Sequence, residues 1–90
     1  MEPFEGVKLQ FPVKYDLKVI MQSDKALELN EAILRNILNG LTIPHSNWSH
    51  RHSSEGKFVS FSVNVELPLK ETMDALYAEL RREPSVRWAM

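Results

Sequence analysis

Three features of the sequence predict an α+β fold: a four-stranded antiparallel sheet with two helices on one face. Two segments, Val13 to Gln22 and Phe58 to Leu67, alternate apolar and polar residues, the period-two signature of a strand with one buried face. Two others repeat apolar residues at three- and four-residue spacing and stop near Gly40 and Pro84, as amphipathic helices do. The resulting order, strand, helix, strand, strand, helix, strand, lets both helical stripes pack on one sheet face. That is the split βαβ, or ferredoxin-like βαββαβ, solution, and right-handed crossovers set its chirality.

Each element has its own warrant. Residues 1–12 hold Pro3 and Pro12 and no sustained period, so they read as a lead-in to a single domain over 13–90. In the first strand Val13, Tyr15, Leu17, Val19 and Met21 share one parity, with Lys14, Asp16, Lys18, Ile20 and Gln22 on the other. Ser23 or Asp24 is placed to cap the first helix. Its stripe is Ala26, Leu29, Ile33 and Ile37, flanked by Ala32, Leu34 and Leu38, and Gly40 is expected to end it as a left-handed C′ residue. Trp48 to His52 reads as a polar strand, with His45 on the loop before it. Ser54-Glu55-Gly56 supplies a turn in which Gly56 takes positive φ. Val59, Phe61, Val63, Val65 and Leu67 form the buried parity of the next strand, a hairpin partner of its predecessor.

After Pro68, Leu69, Met73, Leu76, Tyr77 and Leu80 make the second helical stripe. Glu71 and Asp74 sit in its first turn and Arg81 and Arg82 in its last, each complementing the helix dipole. In the final strand Trp88 and Met90 read either as core or as part of a sticky edge, and their shared parity with Val86 favours the core. The strand is also a candidate edge for extending the sheet into a second copy.

Composition narrows the function. The chain has 90 residues, 43% hydrophobic and 26% charged, with a formal net charge of -1 and no cysteine. A domain of this size has a thin core and little room for a deep active-site cavity. The absence of cysteine excludes disulfides, thiolate catalysis and cysteine-ligated metals. No apolar run is long enough to span a bilayer, and the N-terminal residues lack the basic and apolar regions of a secretory leader. The expected address is the cytoplasm, away from membranes. The near-neutral charge lacks the positive field that accompanies phosphate-backbone binding.

The parity of the strands predicts a polar open sheet face displaying Lys14, Asp16, Lys18, Ser60, Ser62, Asn64, Glu66 and Arg87. RNA-binding sheets of this topology stack bases on aromatics of the central strands. Phe58-Val59-Ser60-Phe61 fits half of the ribonucleoprotein octamer, but its earlier aromatic and basic positions fall on Gly56 and Ser54, and the first strand offers no outward aromatic. No nucleic-acid partner is expected. His50 and His52 leave one face of a strand about 7 Å apart, a spacing that admits a metal ion. With His45 on the loop side and only Glu55 nearby, they lack a fixed third ligand and read as a hydrophilic hairpin end beside Trp48. No cofactor is expected. Gly6, Gly40 and Gly56 are too dispersed for a phosphate loop, and no nucleophile elbow is present. The pair Glu31/Arg35 reads as a solvated helix face.

Phe11-Pro12-x-x-Tyr15-x-x-Lys18-Val19-Ile20, Ser53-Ser54-x-Gly56-x-Phe58-x-Ser60, and Leu76-Tyr77-x-x-Leu80 followed by Val86 occur in an order and spacing that resemble the YbeD-like family of small bacterial proteins. The similarity runs from Leu9 to Met90. It implies a ferredoxin-like fold related in shape to ACT regulatory domains, a cytoplasmic bacterial location, no established biochemical activity, and a regulatory role with a suggested link to lipoate metabolism. Two positions depart from the family pattern: Gln22, where members commonly carry glycine, and His50, where they carry an apolar residue.

Two functions follow as expectations. The first is a non-catalytic regulatory or adaptor domain that binds a protein partner, or its own copy, through the sheet face or edge. The second is an ACT-like small-molecule sensor at the loop from Met21 to Lys25, with Gln22 and Ser23 as ligand-binding residues. There Ser23 can donate to an anion, whereas Asp24 repels one and more naturally caps the helix.

Overall fold

The computed structural model describes residues 9–90, so most of the lead-in expected over residues 1–12 lies outside the described residues. The elements are β1 (Val13–Gln22), α1 (Leu27–Gly40), β2 (His45–His52), β3 (Phe58–Leu67), α2 (Lys70–Arg82) and β4 (Val86–Ala89). They form one sheet of order β2-β3-β1-β4, antiparallel throughout. The ferredoxin-like βαββαβ arrangement read from the sequence is the fold.

The two long alternating strands are its centre. β1 and β3 pair in continuous register from Val13↔Leu67 to Gln22↔Phe58, so their apolar parities meet on one face. Leu17, Val19, Met21, Val59, Phe61, Val63, Val65 and Leu67 are all buried there. Leu34 and Leu38 of α1 and Met73, Leu76, Tyr77 and Leu80 of α2 cover them. Each fully buried aliphatic side chain contributes about 1.5–3 kcal/mol. Leu9 and Phe11 pack at the margin of the same core.

Several local expectations are corrected. Gly40 is the last helical residue of α1 and not its left-handed terminator. Thr42 holds that conformation, with φ 57°. The N–H of Ile43 donates to the carbonyl of Leu38 and that of Thr42 to Asn39, the two bonds of a Schellman motif. Burial of Ile43 beside Leu38 fixes the motif two residues later than a glycine signal suggests. Neither Ser23 nor Asp24 caps α1. The N-cap is Ala26, without a side-chain bond, and Asp24 instead pairs with Lys25 at 2.8 Å. Leu69 is likewise the exposed N-cap of α2 rather than part of its buried stripe.

β2 begins at His45, three residues earlier than predicted, because a register shift between Ser46 and Ser49 carries the strand past an irregularity. Asn47 takes φ 56° within it, and asparagine tolerates this conformation better than most residues. Gly56 does adopt positive φ, 72°, in the β2–β3 turn.

The largest correction is in β4. Val19 pairs with Ala89, Ile20 with Trp88, and Met21 with Val86, so Arg87 is an extra residue in a bulge. An inserted residue reverses side-chain parity beyond it. Ala89 therefore enters the core at 2% exposure, while Trp88 is 42% exposed and Met90 47%. Trp88 and Met90 are not core residues.

Candidate functional site

Cross-strand partners share a sheet face, so the ladder places every residue of the open face. Lys14 opposes Glu66, Asp16 opposes Asn64, Lys18 opposes Ser62, Ile20 opposes Ser60 and Gln22 opposes Phe58. Asn64 Nδ2 donates to Asp16 Oδ1 at 3.1 Å. The half of the face towards Lys14 and Glu66 is thus polar and mixed in sign, as the sequence parity indicates.

The other half is different. Trp88 lies opposite Ile20, and Met90 exchanges backbone hydrogen bonds with Lys18 at 2.9 and 2.8 Å. Ile20, Trp88 and Met90 form an apolar patch on the open face at the β4 edge. Ladder alternation turns the N–H and C=O of Ala89 away from β1, and among the described residues no strand lies beyond β4. Exposed side chains and an unpaired strand edge therefore coincide. The period of the sequence conceals this patch, because a strict alternation assigns Trp88 to the core. The single cue is a charged residue, Arg87, inside a short apolar strand.

At the end of the open face, Gln22, Ser23, Asp24, Lys57, Phe58 and Arg87 line an open hollow of about 300 Å³. Both residues expected to bind a ligand, Gln22 and Ser23, lie in its wall. Arg87 donates to Gln22 Oε1, which ties the bulge to the end of β1. The backbone amides of Gln22 and Ser23 are already used, donating to the carbonyls of Ser85 and Lys57. A hydrogen bond from Lys25 holds the Asp24 carboxyl below the usual carboxylate range, so the hollow keeps one anion among its cations. Lys25 Nζ also donates to Ser85 Oγ. Beneath the loop, Asn30 is fully buried and its Nδ2 donates to the carbonyl of Gln22 at 3.2 Å.

The histidines lie on the other side of the sheet. His45, His50 and His52 pair with Val65, Phe61 and Val59, whose side chains face the helices. The rings of His50 and His52 stand 6.0 Å apart and nearly perpendicular, with His50 also against Phe61. Among the described residues no group of three or more His, Asp or Glu side chains gathers to hold a metal. Glu55 is directed to Lys57. His45 is not a loop residue. It accepts from Trp48 Nε1 through Nδ1 at 3.0 Å, and its Nε2 meets Asn39 Oδ1 at 2.8 Å. The Arg35 guanidinium lies 4.3 Å from the Trp48 ring centroid, so Arg35 is more than the solvated partner of Glu31. These contacts fasten α1 to the β2 edge and occupy the polar atoms of His45.

A family described as a protein of unknown function, DUF493, matches residues 7–90. The chain belongs to that family. DUF493 is the group reached through the YbeD-like resemblance, and its curated relatives carry the name UPF0250. This DUF493 chain is 35% identical over 81 residues to a UPF0250 protein of Xylella fastidiosa strain M23, spanning 90% of this chain and 87% of the relative. It is 30% identical over 83 residues to a UPF0250 protein of Xanthomonas oryzae pv. oryzae, with the same coverage. In fold it is similar to the solution structure of protein HP0495 from H. pylori, with a TM-score of 0.70 at 18% identity, covering 100% of this chain and 93% of that one. The C-terminal domain of the MgtC protein from Mycobacterium tuberculosis gives a TM-score of 0.67 at 16% identity, covering 93% of this chain and 89% of that one. At such identities the two structures speak to the fold alone. No described helix of the DUF493 chain is long and apolar enough to cross a membrane.

Proposed function

We propose that this chain is a non-catalytic adaptor or regulatory domain that docks on protein through the β4 side of its open sheet face. One observation carries the reading: the Arg87 bulge turns Trp88 outward beside Ile20 and Met90, at an unpaired edge. A half-exposed tryptophan flanked by apolar neighbours and a polar rim has the anatomy of a binding hot spot. The mixed charges of Lys14, Asp16, Lys18 and Glu66 suit a protein surface better than a nucleic-acid backbone. The dispersed titratable groups favour binding over catalysis.

A second reading rests on the hollow at Gln22, Ser23, Asp24, Lys57, Phe58 and Arg87, where the Asp24 carboxylate is engaged by Lys25. Two cations around an aromatic side chain suit a small carboxylate with an apolar body, in a sensor role of the kind the ACT-like shape suggests. The engaged amides of Gln22 and Ser23 leave side chains alone to hold such a ligand, which is why docking ranks first.

Paired capture from the source cell tests both readings. Tagged wild-type and Trp88→Glu chains are purified natively, and co-purifying proteins and small molecules are identified by mass spectrometry. One stoichiometric protein retained by the wild type and lost from the variant is expected. A small molecule retained equally by both, with no protein, would move the assignment to the hollow. Equal protein capture by both chains would contradict docking through this face.

A further inference from the structure

The exposed patch and the unpaired edge of β4 coincide, and we infer that their occupant is a second copy of this chain, paired β4 to β4 about a two-fold axis at Ala89. The inference rests on the docking reading above and names its partner.

The backbone selects the register. Met90 exchanges both backbone bonds with Lys18, so Ala89 presents its N–H and C=O to the free edge. Two antiparallel copies of β4 centred on Ala89 satisfy each other there, each Ala89 donating to and accepting from its counterpart. A two-fold arrangement makes the surface its own complement. Ala89 is small and faces the core side, so no bulky group obstructs the approach on that face.

Side chains support the same register. With Ala89 on the axis, Trp88 of one copy opposes Met90 of the other, and the reverse contact repeats across the axis. A thioether against an indole is a favourable contact, and Ile20 extends the strip on each side. Apolar groups 42% and 47% exposed in the single chain become the middle of a continuous eight-stranded open face.

Charge discriminates too. Arg87 is the one charged residue of β4, and it is folded back to Gln22 Oε1 of its own chain. The Ala89-centred register places the two Arg87 residues on opposite sides of the axis, two positions out from it, whereas a register centred on Arg87 would set cation against cation. An unrelated strand would gain only the backbone bonds of a four-residue edge. A second copy brings the matching Trp88 and Met90 as well.

Ile20 and the four-residue β4 edge with Met90 supply far fewer residues than the about 20–30 per side of a stable interface. The pairing is therefore weak and reversible, rising with concentration.

Sedimentation velocity from low to high micromolar protein tests the inference on wild-type, Trp88→Glu and Met90→Lys chains, with circular dichroism and melting as folding controls. The wild type is expected to move towards twice the mass of the chain as concentration rises, while both variants stay folded and monomeric. Because both substituted side chains are exposed, the second variant serves if the first does not fold. The chain has no cysteine, so an oxidised mixture of Trp88→Cys and Met90→Cys chains adds a register test. A heterodimeric disulfide should form in excess over one from Trp88→Cys mixed with Phe58→Cys. A wild type that stays monomeric throughout overturns the second copy but leaves the docking reading to the capture experiment. Self-association that survives in both variants overturns this surface as its site.

Discussion

Tyr15 and Tyr77 show how a polar pair is accommodated at the margin of an apolar core. Their hydroxyls are 2.7 Å apart, joining β1 to α2. Burial, then the hydrogen bond shared with Tyr77 and the proximity of its charge when ionised, push the Tyr15 phenol well above its ordinary range. Burial also raises Tyr77, partly opposed by the bond it shares with Tyr15. Raised folded-state values mean the native chain binds these protons more tightly than the unfolded one. Their contribution is fully present below the ordinary phenol value of about 10 and is lost as pH rises beyond it. These are the chain's two tyrosines, so phenolate absorbance reports the pair alone. Ionisation is expected only above the free-tyrosine range and together with loss of native circular dichroism; titration like free tyrosine in a folded chain would contradict the pairing. The sequence places both residues in apolar stripes by periodicity, but the hydrogen bond spans 62 positions, and no local pattern reports a contact of that separation.

At the scale of elements, the long strands and helices were legible because burial enforces their periods over ten or more residues. β1 and β3 keep one register throughout, so alternation suffices to assign the open face from Lys14 to Gln22. The ends of elements were not legible in the same way. Gly40 offered the conformational freedom of a helix terminator, yet the burial of Ile43 against Leu38 placed the left-handed residue at Thr42. A β-branched residue is strained there. Thr42→Gly is expected to raise stability by about 0.5–1 kcal/mol, the relief of strain exceeding the added freedom of the unfolded chain; chemical denaturation measures it, and a comparable loss would contradict the cap. A one-residue bulge is equally invisible to periodicity. Arg87 shifts everything after it, which is why alternation favours the core for Trp88 over the sticky edge and does not reveal the apolar half of the open face.

For the molecule as a whole, the two sheet faces divide the work. One is filled by α1 and α2, and the other carries a polar, mixed-sign half and an apolar half joined to the free β4 edge. The hollow lies at the Gln22 end of that open face, the histidines lie at the β2 edge on the helix side, and Trp48, held by Arg35 and His45, belongs to the fold. The chain has two tryptophans, so Trp48→Phe leaves Trp88 as the sole indole reporter. The most direct test of an outward Trp88 is acrylamide quenching of that variant across a dilution series. Red-shifted emission with ready quenching is expected in dilute solution, giving way to bluer, shielded emission as concentration rises. Blue, quencher-resistant emission at the lowest concentrations would return Trp88 to the core and contradict the docking face.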